Sequence, residues 1–462
     1  MNKGINRRDF LKMSLATAGG VMLTGFPFAQ RLAAQEGALA FQGTAEFWDW
    51  EFLRRQEYMQ QLIAEWQELN PGVTFNYTAF PYGDLGTKLL TANEANQNPP
   101  ISNVHNEWRL QLQKNGLLVP YPEDLFDYTQ LASTPSLRGM DGKIYTTVFG
   151  YYCNCVFYNN DMLTEAGMTA AEIPTNWADF VNFAKEMTRY DANGNVERPG
   201  IALNHYYSQR WLWQDLVYQA GGFVYNEDGT QAIWNSPEGV AALQFIADWY
   251  HVHKIDDPLL ERHFDMFLTD RAAGFISHGY WSGDLTTDEA WEGRWGTVPE
   301  PTWTGQPTPA WGMVAPEEGL AVFANYPKDV QDAMFSFIQY ALGTDERRVR
   351  WAQIHGVPTD RLDLLNDPAF AAEDEGSVLA SQAVTIPYRV SPGEEPLEVN
   401  TYWREMMDRV ILNKEDPKAV LDDLTVRFNE FMAAGEQKYL ITERNYTPPA
   451  AGSMEPTAEA TS

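Results

Sequence analysis

The sequence predicts an α/β fold in two lobes, on three observations. The chain is too long for one core, strand and helix periodicities alternate along it, and it has almost no cysteine to staple it. Of its 462 residues, about 400 remain once an N-terminal leader and a polar tail are set aside, more than one hydrophobic core usually organises. An extended start over residues 44–48 is followed by Leu62, Ile63, Trp66 and Leu69 at helical spacing, until Asn70-Pro71-Gly72 stops the run. Val73, Phe75 and Tyr77 then alternate, so the opening reads strand, helix, strand, as in a lobe built on a parallel sheet. The same grammar returns later. Thr175 caps a helix whose apolar face is Trp177, Phe180, Val181, Ala184 and Met187, and Ser236-Pro237 starts another that carries Val240, Leu243, Ala247 and Tyr250. Asp191-Ala192-Asn193-Gly194-Asn195 and Asn226-Glu227-Asp228-Gly229 read as turns between strands. The two cysteines, Cys153 and Cys155, would share one face of a strand, where a bridge closing so small a ring is strained; buried thiols are the expectation.

The first residues, Asn6-Arg7-Arg8-Asp9-Phe10-Leu11-Lys12 and a weak apolar run from Met13 to Phe28, read as a twin-arginine export signal over residues 1–40, read by the twin-arginine export machinery. Cleavage is expected after Ala34 or Ala40, each preceded by small residues. Beyond this segment no apolar stretch is long enough to span a bilayer. Acidic residues number 63 against 33 basic, a formal charge of −30, which repels phosphate backbones and argues against a nucleic-acid partner. Residues 447–462 are Pro, Ala, Ser, Thr and Glu with little to bury, and predict a disordered tail.

Residues 265–281, Asp265-Met266-Phe267-Leu268-Thr269-Asp270-Arg271-Ala272-Ala273-Gly274-Phe275-Ile276-Ser277-His278-Gly279-Tyr280-Trp281, resemble the family 1 extracellular solute-binding proteins, the maltose-binding-like group. Asn70-Pro71-Gly72-Val73, Asp141-Gly142-Lys143-Ile144-Tyr145, Phe157-Tyr158-Asn159-Asn160-Asp161, Pro174-Thr175-Asn176-Trp177, Ala220-Gly221-Gly222 and His355-Gly356-Val357-Pro358-Thr359 agree in the same order. Asn98-Pro99-Pro100-Ile101 departs from the pattern usual before the second cleft loop. The resemblance implies a type II periplasmic-binding-protein-like fold, with discontinuous lobes joined by a hinge. Residues 41–150 and 316–365 would form the N-terminal lobe, and 151–312 with 370–446 the C-terminal lobe, with crossings near Gly150 and Met313–Gly319. It also implies a monomer that carries a carbohydrate to the membrane permease of an ABC importer, in the periplasm or outside the cell, with no cofactor and no catalysis.

Sugar sites combine flat aromatic faces with carboxylates and amides that bond neighbouring hydroxyls. Trp48-Asp49-Trp50 follows the first strand, at the carboxyl end where open α/β sheets place ligands. The resemblance makes Trp281 the stacking tryptophan, and puts Trp311-Gly312 before the second crossing and Trp403 at a C-terminal stacking position. Tyr151 and Tyr152 flank the first crossing, and Asp84, Glu107, Trp108 and Arg389 fall in cleft-loop segments. Trp177, at helical spacing, reads as core. Asp191-x-Asn193-x-Asn195 starts like a calcium loop, but Ala202 stands where the bidentate carboxylate belongs, so no metal is expected. Gly279-Tyr280-Trp281-Ser282-Gly283 is out of register for a nucleophile elbow, and no other catalytic motif is present. Two alternatives stay open: the same fold with a glycerophosphodiester, polyamine or peptide, and a secreted carbohydrate-active enzyme using two carboxylates.

Overall fold

A computed structural model describes residues 39–95, 97–131, 134–139, 141–150, 154–305, 318–355, 357, 359–361 and 398–435. The expected export signal but for its last two residues, the expected tail, Cys153 and the site candidates Tyr151, Tyr152, Trp311, Gly312 and Arg389 lie outside them.

The chain opens as β1 (Gly43–Trp50), α1 (Leu53–Leu69), β2 (Val73–Phe80), α2 (Tyr82–Glu94), β3 (Ile101–His105) and α3 (Asn106–Lys114). In β1 the alternation puts Ala45, Phe47 and Asp49 inward. Phe47 meets Tyr77 of β2 edge-on, with ring centres 5.2 Å apart, and Met59, Leu62, Ile63 and Trp66 of α1 cover the same face. α1 stops where Asn70 turns its side-chain amide back onto the Trp66 carbonyl at 2.9 Å, just before Pro71.

A second sheet begins with β4 (Asn154–Asn159). There follow α4 (Trp177–Met187), the short β5 (Arg189–Tyr190) and β6 (Val196–Arg198), α5 (Tyr206–Gln219), α6 (Pro237–His251), α7 (His263–Leu268), β7 (Gly274–His278), α8 (Trp281–Thr287) and β8 (Trp295–Pro299). β7 and β8 flank β4, both antiparallel to it. Every residue of α5 from Ser208 to Gln219 is buried, so this helix is the axis of its lobe. Trp177 is core as expected, its indole N–H donating to Gln219 at 2.9 Å. α4 and α6 are capped by the side chains of Asn176 and Ser236, which accept from the backbone N–H of Asp179 and Gly239. Asp191 gathers the backbone N–H groups of Asn193 and Asn195, each at 2.8 Å, so this segment is a closed turn. Among the described residues no group of acidic, histidine or cysteine side chains is arranged to hold a metal.

The chain then returns to the first sheet as β9 (Glu318–Val322), antiparallel to β3, giving the strand order β2-β1-β3-β9. α9 (Lys328–Leu342) and α10 (Asp345–His355) complete that lobe's core through Phe337, Ile338 and Trp351. α11 (Val399–Met407) and α12 (Pro417–Ala434) complete the other. Gly319 of β9 packs directly on the backbone of residues before Gly150: a Cβ there would sit 1.2 Å from the Thr147 carbonyl oxygen.

Candidate functional site

On the first lobe the carboxyl ends of β1 and β2 gather aromatic side chains. Trp48 meets Phe80 edge-on at 5.4 Å, and Trp50 stacks on Phe52 at 5.5 Å; both indoles are half-buried. Asp84 is exposed in the first turn of α2, and Glu107 is the second residue of α3. Trp108 departs from expectation. It is 5 % exposed, packed with Leu85, Leu89 and Val104, and a Cβ on Gly86 would lie 2.3 Å from its ring.

Asp49 departs further, because its carboxylate is fully buried and fully used. One oxygen accepts from the Trp50 backbone N–H (2.9 Å) and the Arg55 guanidinium, the other from the Tyr77 hydroxyl (2.8 Å). The same guanidinium donates to Glu318 at the start of β9, which also takes the Trp50 indole N–H and lies 3.5 Å from His355 Nδ1. One cation serves two carboxylates here. Burial pushes Asp49 up to about 6 against the pull of Arg55, whereas at Glu318 the push of burial is outweighed by Arg55 and the carboxyl stays below its usual range. Burial holds His355 neutral, down to about 3. Asp49 is thus the member that takes a proton first, and it belongs to the scaffold beneath Trp50.

A second aromatic cluster lies on the second lobe. Trp281 is 8 % exposed and stacked on Phe264 at 3.8 Å. Its indole N–H donates to Ser277 Oγ (3.0 Å), which contacts Ser208 Oγ (3.0 Å), which in turn contacts His263 Nε2 (2.9 Å). His263 Nδ1 accepts from the Phe264 backbone N–H (2.6 Å), and burial holds the ring neutral, so its proton sits on Nε2 and points at Ser208. This chain of bonds fixes the indole plane. Tyr280 packs on Trp281 at 4.5 Å, and Tyr207 and Trp211, one helical turn apart on α5, pack together at 5.8 Å outside the lobe's main core. Tyr206 lies beside Tyr207 at 4.9 Å, under the Arg404 guanidinium. Burial and the neighbouring Arg262 and Arg404 charges push His205, at the start of this arc, down to about 4.

Sequence reasoning missed Tyr206, Tyr207, Trp211 and Tyr280. Their signal was Tyr207 and Trp211 at i and i+4, at the polar beginning of a helix otherwise buried all round. Trp403 was expected to stack on ligand, but the structure places it in the core. It is fully buried between Trp213 (5.0 Å) and Trp234 (4.7 Å), on the stripe Val399, Trp403, Met406, Met407 that α11 turns into the core.

Solved structures share this architecture. An ABC transporter solute-binding protein of Thermotoga lettingae, bound with α-D-tagatose, matches with a TM-score of 0.70 at 19 % identity, over 84 % of this chain and 99 % of that one. UgpB of Mycobacterium tuberculosis, in complex with glycerophosphocholine, matches with a TM-score of 0.73 at 16 % identity, over 86 % and 100 %. In sequence, an arabinooligosaccharide-binding protein of Halalkalibacterium halodurans is 22 % identical over 72 % of this chain and 75 % of its own length. These relatives bind solutes. The bacterial extracellular solute-binding protein family matches residues 51–348, from just after β1 through the first turn of α10, and with the two-lobed fold this places the chain in that family.

Proposed function

We propose that the protein captures a carbohydrate between the two lobes and presents it to the membrane permease of an ABC importer. The observation that carries this reading is the pair of aromatic surfaces, Trp48 and Trp50 on one lobe and Tyr207, Trp211, Tyr280 and Trp281 on the other. Partly exposed rings at Trp48, Trp50, Tyr207 and Tyr280, the last two packed on the nearly buried Trp211 and Trp281, suit the CH faces of a pyranose or furanose. The names of the arabinooligosaccharide-binding and tagatose-bound relatives support the ligand class. A hinge brings the surfaces together, and the closed form is favoured because only there do both lobes touch the ligand. The twin-arginine leader exports the chain, which acts as a monomer.

Thermal unfolding of the mature protein with mono- and oligosaccharides, glycerophosphodiesters, polyamines and short peptides tests the reading, since a ligand that binds only the folded state raises Tm by mass action. A rise with one sugar class, reduced in Trp211→Ala, is expected. A rise only with glycerophosphodiesters, amines or peptides keeps the family and overturns the ligand.

A further inference from the structure

We propose that Arg54 and Asp284 form a latch between the lobes, made when the cleft is shut, which sets the strength of solute capture without either residue touching the solute. Its effect on affinity rests on the sugar-capture reading; its effect on lobe position does not.

Arg54 is the second residue of α1, directly after the aromatic end of β1, and Asp284 is the fourth residue of α8, directly after Tyr280 and Trp281. Both therefore stand at the rim of the gap that hinge opening widens. The Arg54 guanidinium is oriented by its own lobe: Nη1 donates to the Ile354 carbonyl at 2.8 Å, a group in the last turn of α10 with no partner further along that helix. Nη2 is left aimed across the gap and donates to Asp284 Oδ1 at 3.0 Å. The side chains are 15 % and 39 % exposed, intermediate between a buried pair and one spread in solvent.

Gly283 makes the approach possible. A Cβ at this position would lie 1.7 Å from Arg54 Nη1, so the guanidinium lies over a bare backbone and a side chain there would force it to move. The acceptor, the donor and the clearance come from three places in the sequence, and the clearance has no role unless the lobes meet there. Opening moves α8 away from α1 and α10, and then Arg54 keeps Ile354 but loses Asp284. Each favourable contact made only in the closed form multiplies the closed population, and the apparent affinity of a ligand that needs that form rises by the same factor.

Two variants attack the latch independently. Arg54→Gln removes the charge, and Gly283→Ala keeps both charges but blocks the approach while raising helix propensity. With spin labels at the exposed Leu69 and Leu259, one on each lobe, pulsed dipolar spectroscopy on the ligand-free protein should show both variants moving population to longer distances. Sugar affinity should fall roughly three- to tenfold in each, with less loss for both at higher salt. Asp284→Asn added to Arg54→Gln should change little more. Unchanged distance distributions in both variants overturn the latch, even if Trp211→Ala weakens sugar binding. Shifted distances in a protein that binds no sugar leave the latch standing and sink the ligand reading instead.

Discussion

Replacing Arg55 by leucine should be among the most damaging single changes to the first lobe, because it leaves Asp49 and Glu318 buried with no cation between them. Their side chains are 0 % and 2 % exposed. Breaking a buried ion network by removing one partner costs about 3–5 kcal/mol, and for a lobe of this size each kcal/mol moves the midpoint by about 2–4 °C. Calorimetry at pH 7.5 should then show the first lobe's transition lowered by roughly 6–20 °C. Burial already holds the Asp49 carboxyl up at about 6, and losing Arg55 raises it further; the penalty should therefore shrink at pH 5, where the proton replaces the missing cation. The triple variant Asp49→Asn, Arg55→Leu, Glu318→Gln removes all three charges and should recover most of the loss. An Arg55→Leu protein that melts within 2 °C of the wild type at pH 7.5, or a triple variant no better than the single one, would refute the argument.

Trp211→Ala should weaken sugar binding by the folded protein by roughly tenfold, whereas Trp403→Ala should lower stability by about 3–5 kcal/mol and leave the affinity of the folded fraction intact; titration calorimetry beside thermal melts separates the two. Gly319→Ala should give little soluble protein, since its methyl group would meet the Thr147 carbonyl, and a normal yield at a wild-type Tm would show that the crossing strands can part there. Burial pushes the Asp256 carboxyl up to about 7 although it accepts from the Leu203 (2.7 Å) and Asp257 (2.8 Å) backbone N–H groups. A carboxyl raised in the fold stabilises in full below about pH 4 and loses that contribution as pH rises through 7. The Tm of wild type relative to Asp256→Asn should therefore fall between pH 5 and pH 8, and a constant difference would rule out titration at this residue.

The regular elements were legible because they are local. The spacing of Leu62, Ile63 and Trp66, the alternation after Val73 and the turn at Asp191 each need only neighbours in sequence, and the structure holds them as expected. The site was legible only in part, since whether an indole faces solvent depends on what arrives from elsewhere. Trp403 is sealed by Trp213 and Trp234, and Asp49 is claimed by Arg55 together with a carboxylate from the far crossing. Neither partnership leaves a trace in local periodicity. Trp211 was hidden for the opposite reason: its helix is buried nearly all round, so nothing in its spacing separates it from the core positions that follow.

The antiparallel pairing of β3 with β9 also decides how late in its synthesis the molecule can become stable. β3 ends at His105, and the strand that covers its edge begins at Glu318, after the whole second sheet has been made. Until then the nascent chain carries an unpaired edge and an uncovered apolar face, and closing so long a loop is slow. The second lobe finishes later still, because Trp403, Val420, Leu424 and Phe428 belong to its core. A nascent chain that ends before α11 would hold a first sheet already closed by β9 beside a second lobe missing a wall. The lobe that begins the sequence is therefore the first to close, yet neither can form as an independent bead while the chain is still growing through the other.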